Sequence, residues 1–281
     1  MIIYRRLGEI MKDIAKKSNT MYLLDKYGMQ ATKKFGQNFL IDLNTVKKIV
    51  DTTPVDKDTC VIEVGPGIGA LTEQSAIKAK KVRCYEIDTR LKDVLNESLE
   101  DYDNVEVIFQ DFLTVDLKSV VEELKKDCKQ VCIVANLPYY ITSDILEHIL
   151  VSGADLRSVH AMVQKEVALK LTDKTYKSPL TLMIDSVGKA SLDMNVSKNV
   201  FSPAPHVDSA ILSITIDKEY NPKLTNLLKV AFTQKRKTIY NNLKELFNEQ
   251  TNDVLNQCGI DPKSRPEQLS IEDYIHLTNH L

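Results

Sequence analysis

VIEVGPGIGALT, residues 61–72, is an apolar run that breaks at three alternating glycines, Gly65, Gly67 and Gly69, and resumes as an amphipathic stretch. That order predicts a strand that turns directly into a helix. Glycines at the turn permit positive φ and let a ligand come against the backbone, and the first turn of the helix offers amides with no intrahelical partner. The stretch alone leaves its ligand open. Gly65, Gly67 and Ala70 also satisfy the dinucleotide pattern G-x-G-x-x-G/A, and a glycine turn with a purely structural purpose has the same appearance.

Outward from this turn the chain keeps one rhythm. TCVIEVG, KVRCYEID, VEVIFQD, VCIVAN and HAMVQ read as strands. ALTEQSAIKA, TRLKDVLNESLE, LKSVVEELKKD, SDILEHILV and KEVALKLT read as the helices between and after them. Strands alternating with helices at this spacing predict an α/β fold, a Rossmann-like parallel sheet with helices on both faces. SAILSITI is a last strand with no crossover helix after it. From about residue 219 only helical patterns remain, as in PKLTNLLKVAFT, RKTIYNNLKELFN and IEDYIHLTNHL. The polar segment DKEYNP therefore divides a catalytic domain, 1–218, from a small helical C-terminal domain, 219–281.

Two carboxylates narrow the ligand. Glu86 ends the second strand, where it can accept both hydroxyls of a ribose, and Asp111 ends the third, where it can accept from an adenine amino group with Phe112 against the ring. Either could instead cap a helix, and Asp88 and Thr89 compete for that role. An adenosine end is common to NAD and S-adenosylmethionine. The fourth strand decides between them, because VCIVAN runs straight into Asn136-Leu137-Pro138-Tyr139 over the same sheet edge. Methylating an exocyclic amine requires freeing a lone pair that is delocalised into the ring. The Asn136 side-chain oxygen and the carbonyl of Pro138, or of its neighbour, can accept the two amine hydrogens and aim that lone pair at a methylsulfonium. Proline holds the segment rigid without needing an amide partner. Tyr139 supplies a flat face for an extruded base, worth about 1–3 kcal/mol of stacking.

The net charge of −2 hides an uneven distribution. Residues 1–50 carry ten basic against four acidic groups, whereas residues 51–185 carry 16 basic against 24 acidic. Local charge decides where a phosphate backbone docks, so a near-neutral total does not exclude RNA. Five cysteines, odd in number and without C-x-x-C spacing, predict unpaired thiols and a reducing, cytoplasmic setting, with no metal site. The N-terminal residues alternate charged with apolar side chains, so they are expected to be neither a signal sequence nor a membrane span.

The chain resembles the ribosomal RNA adenine dimethyltransferase family over essentially its whole length. Eight stretches carry the resemblance in order: FGQNFL (35–40), EVGPGIGALT (63–72), EID (86–88), QDF (110–112), NLPYYIT (136–142), MVQKEVA (162–168), FSPAPHVDSA (201–210) and FTQKRKT (232–238). The bacterial branch that dimethylates two adjacent adenines in a loop near the 3′ end of small-subunit ribosomal RNA is the most similar. The resemblance implies S-adenosylmethionine as methyl donor, held by Asn38, Leu40, Gly65, Gly67, Glu86, Asp111 and Asn136. It implies a target pocket of Asn136, Leu137, Pro138 and Tyr139, with Phe201 packing on the extruded base opposite the tyrosine. Lys235, Arg236 and Lys237 match a basic segment. The partner it implies is small-subunit RNA within the 30S particle or its precursor, met by a monomer with no membrane association. In two places the chain departs from the family: LTDKTYKSPLTL is short for the loop after MVQKEVA, and MIIYRRLGEIMKDIAKKSN is an extension that predicts a poorly ordered arm. The rival within the family, a resistance methyltransferase acting on large-subunit RNA, usually has G-S-G-K-G-x-F-T where this chain has GPGIGALT. A non-catalytic assembly factor of the same fold would not need Asn136 to Tyr139 and Glu86 intact.

Overall fold

The Thr59–Val64 strand is buried at every position, because it lies in the middle of a sheet covered on both faces, as its unbroken apolar run requires. The computed structural model describes residues 13–32 and 36–281. Its main sheet has seven strands in the order β4 (Val105–Phe109), β3 (Lys81–Glu86), β2 (Thr59–Val64), β5 (Gln130–Asn136), β6 (Ser158–Gln164), β9 (Ser209–Ile216) and β7 (Gly188–Val196). The first five are parallel, and β9 runs antiparallel between β6 and β7. The strand order reverses between β2 and β5, so a crevice opens there at the carboxyl ends of the strands. A separate antiparallel pair, β1 (Phe39–Leu40) and β8 (Phe201–Ser202), sets Leu40 opposite Phe201.

Alternation along β2 sorts the core into two layers. Val61 packs with α1 (Lys17–Lys26), α2 (Leu43–Asp51), α3 (Ala70–Lys78) and α4 (Lys92–Ser98). Cys60, Ile62 and Val64 face α5 (Leu117–Leu124), α6 (Thr142–Val151), α7 (Lys165–Thr172) and α8 (Pro179–Val187). Local chemistry sets the helix starts. The Asp42 carboxylate accepts from the Thr45 amide at 2.7 Å to begin α2, and Ser178 and Thr181 form a reciprocal cap with Pro179 in the first turn of α8.

Beyond residues 217–221 follow α9 (Pro222–Ala231), α10 (Ile239–Phe247), α11 (Thr251–Gln257) and α12 (Ile271–Thr278). Their buried side chains, such as Leu227, Leu243 and Tyr274, belong to the same apolar cluster as the α6–α8 face of the sheet. The cap and the sheet thus share one core. No helix among the described residues is long and apolar enough to cross a membrane.

Two expectations are corrected here. Cys60 and Cys128 are joined as a disulfide, their Cα atoms 5.8 Å apart; Cys84, Cys132 and Cys258 remain thiols. Spacing could not show the pair, because it joins β2 to the segment after α5, 68 residues apart in sequence. The expected loose arm over residues 1–19 is also wrong from residue 13 onward; residues 1–12 lie outside the described residues. Ile14 and Ala15 are fully buried, and the Glu73 carboxylate on α3 accepts from the amides of Asp13 and Ile14 at 2.8 Å each.

Candidate active site

Gly65, Gly67 and Gly69 all take positive φ, at +68°, +61° and +92°, so the turn after β2 is one that side-chain-bearing residues adopt only with strain. Gly65 donates to the Tyr85 carbonyl at 2.9 Å, and a Cβ added to it would meet nothing within 4 Å, since it would project into open cleft. A Cβ on Gly67 would instead meet the Phe39 ring at 3.4 Å, which places β1 directly against the turn. The cleft at the strand-order reversal is lined from all the motifs that the sequence singled out around it.

Each carboxylate is held in place by backbone. Glu86 at the end of β3 is nearly buried; its Oε1 accepts from the Asp88 amide at 2.8 Å and its Oε2 from the Gly67 amide at 3.2 Å. Burial pushes its carboxyl above the usual range, against the pull of those two amides. Asp111 gives one oxygen to the Leu113 amide at 3.0 Å and has no protein donor on the other among the described residues. Phe112 forms the wall beside it, with its ring edge-on to His148 at 5.5 Å. Asn38 and Leu40 line the opposite side. A glycine cradle facing two anchored carboxylates and an aromatic wall fits the polar and flat parts of a nucleoside.

Asn136 is the last residue of β5, and its Nδ2 donates to the Asn38 carbonyl at 3.3 Å. That bond uses the donor end of the amide and leaves the acceptor end for a ligand. Leu137 is buried with its amide donating to the Met162 carbonyl at 3.1 Å. The Pro138 carbonyl is occupied twice, by the Ile141 amide at 3.3 Å and the Thr142 hydroxyl at 3.0 Å. Both lone pairs are therefore spent inside the turn, whereas the neighbouring Leu137 carbonyl accepts no bond among the described residues. Tyr139 lines the cleft half-buried, and its hydroxyl shares a 2.6 Å bond with Ser209; burial raises its pKa.

The other expected residues lie outside the cleft lining. Phe201 is 3% exposed, lies on β8 opposite Leu40 of β1 and is not on the cleft wall. Lys235, Arg236 and Lys237, expected as a basic segment, occupy an exposed turn between α9 and α10. Two cleft residues escape the sequence reading. Glu63 is fully buried in β2 with the Cys84 thiol 3.8 Å from its carboxylate, and burial pushes its pKa up to about 8. An acid inside the apolar run VIEV is the available signal. Tyr140 is 56% exposed at the cleft wall, and a Cβ on Gly36 would touch its ring at 3.2 Å.

Sheets of this order, with carboxylates and a proline turn gathered at the reversal, are those of Rossmann-like methyltransferases, and solved structures agree. The 23S rRNA methyltransferase ErmE superposes with a TM-score of 0.64 at 28% identity, covering 87% of this chain and 99% of that one. A dimethyladenosine transferase from Plasmodium falciparum gives 0.69 at 25% identity, with 85% and 95% covered. The family described as ribosomal RNA adenine dimethylase matches residues 28–281, and the chain belongs to it. Two similar relatives carry the name Ribosomal RNA small subunit methyltransferase A. The one from Staphylococcus aureus (strain Newman) is 44% identical over 284 residues, 95% of each chain. The one from Bacillus licheniformis is 44% identical over 286 residues, 96% of this chain and 98% of its own. The enzyme is a methyltransferase of ribosomal RNA adenine.

Proposed function

We propose that this protein transfers methyl groups from S-adenosylmethionine to N6 of two adjacent adenines in a loop near the 3′ end of small-subunit ribosomal RNA. In this reading it works as a monomer in the cytoplasm, on the 30S particle or its precursor. The observation that carries the chemistry is the tether of Asn136 Nδ2 to the Asn38 carbonyl, which leaves Oδ1 free at the end of β5. The relatives named for the small subunit support the choice of RNA.

When bound, S-adenosylmethionine supplies a methyl group on a positively charged sulfur. Glu86 would accept from the ribose hydroxyls of the donor and Asp111 from its adenine amine, and the open face of Gly65 would let it lie against the backbone. Asn136 Oδ1 and the Leu137 carbonyl accept the two N6 hydrogens of the target adenine. Held in this way, the nitrogen lone pair would be drawn out of conjugation and free to take the methyl group that the donor would supply. The extra proton leaves for water afterwards, so no strong general base is required. Tyr139 holds the base by its ring, while the Ser209 bond fixes the angle of that ring.

The test is single-turnover methyl transfer to small subunits from cells lacking this gene, with both ribosomal RNAs analysed by mass spectrometry. Two dimethylated adenines near the 3′ end of the small-subunit RNA are expected. Transfer confined to large-subunit RNA would overturn the assignment.

A further inference from the structure

A second concavity lies beside the base pocket, lined by Lys165, Leu169, Lys198, His206 and Val207. Its floor is apolar and open to solvent, with Leu169 52% exposed and Val207 41% exposed. Neither Lys165 nor Lys198 makes an ion pair among the described residues, although the carboxylates of Glu166 and Asp208 line the same groove. Asp208 has another task. Its carbonyl accepts from the Lys165 amide at 3.0 Å, and its side chain accepts from the Lys198 amide at 2.9 Å. One residue therefore brings the ends of β6 and β7 together and places both lysines at one groove. The next residue, Ser209, stands opposite Gln164 and Val196 in the sheet and holds the Tyr139 hydroxyl. Groove and base pocket are thus joined through a single peptide unit.

We propose that this groove is a second nucleotide subsite, which takes the RNA nucleotide adjoining the target adenosine. Its base lies on Leu169 and Val207, and its phosphate lies between Lys165 and Lys198, with His206 at the side. The argument is continuity and charge. Tyr139, on which the adenine stacks, is bonded to Ser209, and one residue away Asp208 lines a groove that holds two uncommitted ammonium groups over an apolar floor. Unstacked bases are held by apolar faces, and phosphates by lysine point charges. The proposal rests on the reading of the cleft as an RNA adenine site.

The test uses the full-length enzyme and the ribosomal RNA that it methylates. The K165Q/K198Q variant should bind RNA about tenfold more weakly, with the loss appearing in KM for RNA and methyl-donor affinity unchanged. With one phosphate fewer neutralised, the plot of log affinity against log salt should flatten by about 0.7. A K118Q/K126Q variant, altered on and just after α5, controls for general charge and should leave the slope as it was. An abasic nucleotide placed at each neighbour of the target tests the floor: at one neighbour it should weaken the wild type severalfold and L169S no further. K165Q/K198Q with wild-type affinity and slope, or an abasic penalty equal in wild type and L169S at both neighbours, would overturn the subsite. Those outcomes leave the substrate assignment intact. If the wild type methylates no ribosomal RNA, that first measurement fells the assignment and the subsite with it.

Discussion

Asn136 does two things with one amide, and its variants separate them. Alanine removes both the tether to Asn38 and the acceptor for N6. Removing an interaction made chiefly in the transition state costs on the order of 100- to 1000-fold in rate. Asn136→Ala is therefore expected to lose that much single-turnover methyl transfer with most RNA binding intact. Asn136→Asp keeps an acceptor but cannot donate to the Asn38 carbonyl, so it should fall between alanine and wild type. Near-normal turnover by Asn136→Ala would reduce Asn136 to Tyr139 to a structural turn. Glu63 predicts a pH dependence of stability. Its carboxyl ionises near 4.5 in an unfolded chain and at about 8 in the fold, because burial disfavours the charge. Between those values the folded state binds more protons than the unfolded state, so stability falls as pH rises. The expected penalty at pH 8 is on the order of a few kcal/mol, and Glu63→Gln should remove the slope. Thermal unfolding without ligand from pH 5 to 8.5 measures it; parallel slopes for the two proteins would place the titration elsewhere.

The β1–β8 pair is the element whose position is least legible in the sequence. QNFL reads alone as a loop before a helix, and only the family resemblance draws attention to it. In the fold its Phe39 touches the glycine turn, its Leu40 pairs with Phe201, and all three residues sit in one buried cluster. Phe201 thus packs with the two residues of β1 that back the glycine turn. Phe201→Ala should cost about 3–5 kcal/mol of stability through the cavity it leaves, and should weaken methyl-donor binding as β1 loosens. Phe201→Leu should recover most of both. Denaturation and calorimetry decide the matter: an alanine variant of normal stability with only RNA affinity reduced would show that the ring acts on the base. β7 does not stand out in the sequence, although Ala190, Leu192, Met194 and Val196 keep a period of two. It is an edge strand, half-buried on one face and interrupted by a register shift between Leu192 and Met194, so its local pattern is weak. What makes it a strand is β9 beside it.

Across the whole molecule, basic groups lie at several separate places. Of those in the first 50 residues, Lys26 is committed to Glu97 and Lys16 to Asp13, while Arg5, Arg6, Lys12, Lys33 and Lys34 lie outside the described residues. Lys235, Arg236 and Lys237 stand exposed on the helical cap, and the core that the cap shares with the sheet gives them a supported place. Replacing all three with glutamine should weaken RNA binding and flatten its salt dependence, by about 0.9 for each duplex phosphate that is no longer neutralised. Titrations at several salt concentrations would show an unchanged slope if these are ordinary surface charges. By itself the sequence determined the alternation of strands and helices, the glycine turn, the carboxylates at strand ends and the Asn-Leu-Pro-Tyr turn. Each of these is local: apolar periodicity, backbone freedom and residue chemistry act over a few neighbouring positions. Only the tertiary structure decided that Cys60 meets Cys128, that Glu73 anchors residues 13 and 14, that the Pro138 carbonyl is taken up within its own turn, and that Phe201 pairs with Leu40. Those facts depend on which distant segments the shared core brings into contact, and no spacing along the chain records that.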